Sequence, residues 1–306
     1  MRQIVVMGAA IVDVLVRLGG FGNFGIPGGN GSSGSYPAKD IRMSTGGDAL
    51  NEALVLAGLG ADAQLRTVLG DDAAGDLVRN RIASAGLPAE GLFLRPGLAT
   101  GINVVLVGQD AQRSFLTNPH GSLRALRIED LSLETLPEGG ILSFASIFVF
   151  PEIGAGELSK IFGEAKKRKM TVCADMTKPK KGETLKDMAS ALSMLDYFLP
   201  NEEEACMLTG ETDAAEAAEA LFRAGVKRVV IKCGGRGCLI WDEKGMERLP
   251  ALENVRCVDT TGAGDSFTAG FLFRLAQGAS FRECARFANV CGGRATEVLG
   301  ATEWVR

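Results

Sequence analysis

Val258-Asp259-Thr260-Thr261-Gly262-Ala263-Gly264-Asp265-Ser266-Phe267 runs directly into an apolar-periodic stretch, Phe267–Ala276. The period predicts a helix over 262–277. Small residues at 262–264 leave three consecutive backbone N–H groups unobstructed at its start. Those groups are orphan donors, and the helix dipole adds positive potential there. Such a turn is suited to an anion, including charge developing on a transferring phosphoryl group. Asp265 lies at its edge. A carboxylate there would not bind phosphate, but it can accept a proton from an incoming hydroxyl. The plainer reading is a capped helix with an acid in its first turn.

Working outward, short apolar, β-branched runs alternate with helix-period stretches for most of the 306 residues. Strands are predicted at Ile4–Gly8, Asp13–Leu18, 63–68, Ile141–Phe148, 170–174, 195–199 and 227–233. Helices are predicted at 46–59, 72–85, 154–168, 185–193, 201–208, 213–224 and 280–294. Ile102–Gly108 and Arg113–Thr117 read as a hairpin about Gly108-Gln109-Asp110, and a second hairpin runs through 237–249. Strands alternating with amphipathic helices imply a mostly parallel sheet covered on both faces, a three-layer α/β/α sandwich. Segments 9–18, 40–45 and 100–117 break that rhythm. They read as a small antiparallel β-sheet projecting as a lid. No Pro/Ser-rich linker or repeat divides the chain, so 1–306 reads as one domain.

Composition narrows the function. Forty glycines in 306 residues are about twice the usual share of roughly 7%. They collect in loops and turn–helix junctions, where a main chain can wrap a small ligand. A net charge of −4 argues against nucleic acid or an anionic membrane as partner. No run of 18 apolar residues is present, and Asp13 interrupts the apolar N-terminus, so neither a membrane span nor a signal peptide is expected. Seven cysteines, odd in number and without a CxxC pair, read as small core residues in a reducing, cytoplasmic compartment. The lone histidine, His120, excludes a multi-His metal site and leaves acid–base work to carboxylates.

Two Gly-x-Gly-x-x-Gly matches, at Gly20-x-Gly22-x-x-Gly25 and Gly29-x-Gly31-x-x-Gly34, lead into Pro27 or a Gly/Ser run. No helix can start there, so they read as loop. No Gly-Lys dipeptide exists, which removes a Walker A loop.

The 258–267 segment resembles the C-terminal signature of the ribokinase-like carbohydrate kinases, the PfkB family. Gly46-Gly47-Asp48-Ala49-Leu50-Asn51-Glu52-Ala53 is similar to that family's N-terminal signature. The order and separation are right, and the likeness covers essentially the whole chain. The resemblance implies a ribokinase-like fold and an ATP-dependent kinase acting on a hydroxyl of a sugar or sugar acid. By the same resemblance Asp265 is the catalytic base, and the Gly262, Ala263 and Gly264 backbone is the anion hole. Asp13, Gly46, Gly47 and Asn51 would bind the sugar. A carboxylate plus an amide supplies the paired donors and acceptors that polyols need.

Pro200-Asn201-Glu202-Glu203-Glu204 matches the family's Asn-x-x-Glu motif. Asn201 and Glu204 would thus help place Mg²⁺, Glu204 through water. Asn201 also fits a helix cap before an acidic turn. Asp175 and Lys178 lie in a looser match, where the family often has a phosphate-proximal acid and base. Lys232, Gly234 and Gly237 resemble the glycine turn bordering the nucleotide, and Asn289 a position near its adenosine. Ala295–Ala301 resembles a loop that binds a monovalent cation such as K⁺, with Asp259 as its side-chain ligand. Relatives usually carry a further helix beyond this point, so a truncated C-terminus is an expectation. Exposed lid edges predict a homodimer through the lid. Arg113, His120 and Arg124 are the candidates to face a substrate carboxylate. The competing readings are a nucleoside kinase of the same fold and a catalytically inactive sugar- or nucleotide-binding regulator.

Overall fold

The computed structural model describes residues 1–18, 38–107 and 113–305. The glycine-rich stretch 19–34 and the turn at Gly108-Gln109-Asp110 lie outside them. From the N-terminus the chain forms β1 (Ile4–Met7), β2 (Ile11–Leu18), β3 (Ala38–Gly46) and helix α1 (Asp48–Gly58). Strand β4 (Ala63–Gly70), helix α2 (Ala73–Ser84) and strands β5 (Leu92–Arg95), β6 (Ile102–Val107) and β7 (Arg113–Thr117) follow. After the single turn α3 (Ser122–Ala125) come β8 (Ile141–Ile147), α4 (Ala155–Lys167), β9 (Thr171–Met176) and α5 (Leu185–Leu192). Next are β10 (Tyr197–Phe198), α6 (Glu202–Thr209), α7 (Ala214–Arg223) and β11 (Val229–Lys232). The hairpin β12 (Cys238–Asp242) and β13 (Gly245–Leu249) leads to α8 (Ala263–Ala276) and α9 (Phe281–Ala295).

Nine strands make one sheet in the order β13-β12-β11-β10-β9-β8-β1-β4-β5. Pairings from β11 to β5 are parallel, and only the β11-β12-β13 edge is antiparallel. The central strands β1 and β8 are buried at every position, as strands covered on both faces must be. Alternate residues of β1 enter opposite cores. Val5 and Met7 join Phe144, Phe162 and Phe198 on one face, while Ile4 and Val6 join Leu50 and Phe271 on the other. This is the expected three-layer sandwich.

The second sheet has the order β3-β2-β6-β7. It corrects the expectation of an antiparallel lid at one place, since β2 and β6 run parallel. The chain returns to β6 only after crossing the main sheet through α1, β4, α2 and β5, and such a crossover delivers a parallel neighbour. Strand β5 was not anticipated from the sequence. It is a four-residue edge strand set between Gly-Leu-Pro and Pro-Gly punctuation that reads as loop. The helix expected from residue 46 begins at Asp48, because Gly46 still belongs to β3 and Gly47 makes the turn between them. Five cysteines are buried and free as expected; Cys206 is half-buried and Cys257 exposed, so those two are not core residues.

Candidate active site

The β3–α1 junction positions the first half of the site. A side chain at Gly46 would put its Cβ 1.9 Å from Asp13 Oδ2. At Gly47, with φ +97°, a Cβ would lie 2.6 Å from the Ala9 carbonyl oxygen. The glycine pair therefore lets the main chain pass against Asp13 and turn into α1. The first turns of α1 then present Asp48 and Asn51. Asn51 Nδ2 donates to Asp265 Oδ2 at 2.7 Å, a contact across 214 residues. Asn51 Oδ1 is buried and has no hydrogen-bond partner among the described residues. An orphaned acceptor at this point is a ready place for a substrate hydroxyl.

The start of α8 positions the second half. Gly262 adopts φ +71°, and a Cβ there would lie 2.6 Å from Ala301 Cβ, so only glycine fits the N-cap. The expected trio of open amides is corrected at its middle member, because Ala263 N–H donates to the Thr260 carbonyl at 3.3 Å. Asp259 ties this turn to the C-terminal segment: its Oδ1 accepts from Thr261 N (3.1 Å), and its Oδ2 from Gly300 N (3.1 Å). Trp304 Nε1 donates to Ser266 Oγ at 2.9 Å, clamping the same segment to α8.

Burial pushes the Asp265 carboxyl up to about 8. The nearby Asp48 adds to that, while the Asn51 hydrogen bond and the Lys232 ammonium oppose it. Lys232 pairs with the buried Asp175, which also accepts from Thr268 Oγ1 at 3.1 Å. Burial pulls the Lys232 ammonium down, but the carboxylates of Asp175 and Glu204 outweigh it and hold the group charged. A Cβ at Gly264 would lie 3.6 Å from Lys232 Nζ, so this cation sits beside the anion turn. Asn201 caps α6: its Oδ1 accepts from Glu204 N at 2.8 Å, and its own N–H donates to Glu204 Oε2 at 3.1 Å. Burial pushes Glu204 up to about 7, with Lys232 opposing and Asp175 reinforcing the rise.

A cavity of about 1580 Å³ brings together Asp13, Gly47, Asp48, Asn51, Gly262, Gly264 and Asp265. Asn201, Glu204, Lys232, Gly234, Gly237 and Asn289 do not line it. Gly237, at φ +86°, packs against the Leu249 carbonyl. Asn289 Nδ2 donates to the carbonyls of Pro250 (3.0 Å) and Leu249 (3.4 Å). Both residues therefore hold the segment after β13 in place. His120 is exposed, and Arg124 Nη1 is spent on the Val149 carbonyl at 2.8 Å.

Two residues escaped the sequence reading, Asn103 and Glu52. Asn103 neighbours Asp13 in the β2–β6 register and hydrogen-bonds it, partly offsetting the rise that burial gives the Asp13 carboxyl. Its Oδ1 accepts from Thr117 Oγ1 at 2.7 Å. The signal for it was a lone Asn in the apolar run INVVLV. Asp48 accepts from Ser146. Glu52 is fully buried and accepts from Ser143 Oγ at 3.0 Å. Burial pushes its carboxyl well above the usual range.

The chain is similar to known proteins along its length. The pattern of the pfkB family carbohydrate kinases matches residues 1–305. A probable fructokinase-4 of Arabidopsis thaliana is 27% identical over 86% of this chain and 85% of its own. A ribokinase of Haemophilus influenzae is 27% identical over 86% and 84%. Among solved structures, the ribokinase of Thermotoga maritima superposes with a TM-score of 0.81 at 25% identity, covering 99% of this chain and 96% of that one. The chain thus belongs to the pfkB family of carbohydrate kinases and is an ATP-dependent sugar kinase of the ribokinase fold.

Proposed function

We propose that the acceptor is a sugar or sugar acid, bound through Asp13, Asn51 and Asn103, and that Asp265 is the base that activates its hydroxyl. The observation that carries this reading is the Asn51–Asp265 hydrogen bond. It ties the two signature segments into one site at the helix start where an anion is best received. Asp265 takes the proton of the hydroxyl, and the freed oxygen attacks the γ-phosphorus of ATP in line as the bond to the β–γ bridging oxygen breaks and ADP leaves. The Gly262 and Gly264 amides and the Lys232 ammonium receive the charge that develops. Ala263 N–H can join them only by giving up Thr260.

Glu204, held by Asn201, fits as the carboxylate that would carry Mg²⁺ through water, since neighbouring acids disfavour its charge and a cation would restore it. A Mg²⁺ held by Glu204 in this way would supply positive charge to the phosphates. Asp259 and the carbonyls of 295–301 stand where the family likeness would put K⁺. Phe115, on β7 beside Val105, lines the acceptor cavity and is the feature that favours a nucleoside acceptor instead. The lid also supports a homodimer: Ile41 (65% exposed) and Leu116 (60%) stand on its two edge strands, and a second copy is the occupant that would cover them.

The test is ADP release from MgATP across sugars, sugar acids, sugar phosphates and nucleosides, with Asp265→Asn as control. Acceptor-dependent release that vanishes in the variant supports the reading. Near-normal turnover in Asp265→Asn overturns the assignment of the base.

A further inference from the structure

Strand β2 leaves the main domain at Ile11, which is buried, and runs outward along the lid. Its alternate residues Asp13, Leu15 and Arg17 all line the acceptor cavity, as the period of two requires of one strand face. The neighbouring strands repeat the gradient. Ser44 stands opposite Asp13, and Arg42 opposite Leu15. The inner face of the lid therefore passes from a polar row beside the base, through an apolar row, to a cationic end. At ~3.3 Å per residue, the Arg42 row lies about 7 Å beyond Asp13 and Arg17 about 13 Å beyond it.

These two guanidiniums are not balanced within the face. Arg42 Nε pairs with Asp40 at 2.6 Å, and the same Asp40 is the residue opposite Arg17 in the β2–β3 register, so two guanidiniums face one carboxylate. One positive charge is left over, in a protein whose net charge is −4. Its place is on the far side of Asp13 from Asp265, away from the anion turn that would hold the phosphates. A neutral sugar gives such a charge nothing to answer.

Resting on the acceptor site proposed above, we infer that the physiological acceptor carries an anionic group at the end remote from the hydroxyl that is phosphorylated. Arg17 and Arg42 take that group, which is a carboxylate or a phosphate monoester. Guanidinium forks match the planar or tripodal oxygens of both. Of the sequence-based candidates, His120 is exposed, Arg124 is engaged by the Val149 carbonyl, and the Arg113 side chain lies outside what the structure describes.

The experiment compares three matched acceptors (a neutral sugar, its sugar acid and its phosphate monoester) with wild type and Arg17→Gln/Arg42→Gln. Steady-state kcat/KM and binding by calorimetry are both measured. In wild type one anionic acceptor is expected to exceed its neutral parent by at least about tenfold, as for a charge-assisted contact. The double variant should lose that preference while keeping its ATP KM and its response to the neutral sugar. Whether acid or phosphate is preferred identifies the group. Equal or better use of the neutral sugar by wild type overturns the inference, as does a preference that survives in the variant. If no acceptor supports ADP release, the kinase reading of these acceptors fails, yet calorimetry still decides whether the cavity selects anions.

Discussion

Strand β8 of the large sheet is buried at all seven positions, while β3 of the small sheet is buried at only one of nine, Gly46. The first is held by two apolar cores, the second by hydrogen bonds to β2 and the face it turns to the cavity. The groups proposed for phosphoryl transfer, Asp265, Lys232 and the Gly262–Gly264 turn, stand on the heavily packed body. Asp13, Asn103, Arg17 and Arg42, proposed to contact the acceptor, stand on the lightly packed lid. A rigid body can hold a base and an anion turn to fractions of an ångström, whereas a lid can exchange its inner residues at small cost to the fold. The chemistry is therefore fixed where substitution is expensive, and acceptor choice where it is cheap.

The sharpest way to break this division is at the base. Asp265→Asn is expected to lower kcat by about 10²- to 10⁴-fold, with ATP affinity unchanged by direct titration. Equal turnover would remove the chemistry from the body. Next in size, Lys232→Met strands the buried Asp175 carboxylate and should cost about 3 kcal/mol of stability, read from urea unfolding. A neutral result would show that the ion pair is not part of what holds the body rigid.

On the lid, Ile41→Glu with Leu116→Glu should convert a dimer to a monomer by light scattering at micromolar concentration. The main thermal transition should move by no more than a few degrees. Collapse of the whole fold would show that the two sheets are one cooperative unit. The last test is the pH dependence of stability. Asp265 rises from 3.8 to about 8 and Glu204 from 4.5 to about 7 on folding. The folded chain then holds protons that the unfolded chain has released. Their contribution is full below about pH 4 and lost as pH rises through 7 to 8. Tm should fall across that window, and Asp265→Asn should flatten the fall. A Tm that climbs from pH 5 to 8 in both proteins would contradict it.

Much of the body was legible because its strands and helices carry their own periods. The runs at Ile4–Met7 and Ile141–Ile147, and the helix after Gly262, are set by local patterning. Asp265 and Asn51 were legible too, each from its own short motif. Asn103, Glu52 and Arg17 were not. Each is one polar residue in or beside an apolar run, and only pairing with a distant strand or helix gives it a role.

By itself the sequence determined the alternation of strand and helix, the glycines at 46, 47 and 262, and the acid that follows the last of these. Those depend on backbone geometry within a few residues, where side-chain size and φ decide. Tertiary structure alone decided that β6 lies parallel to β2, that Ala263 N–H is already engaged, and that the lid's inner face ends in two arginines. Those depend on which segments meet, across 90 residues for β2 and β6, and on how the turn before α8 closes, and no local period records either.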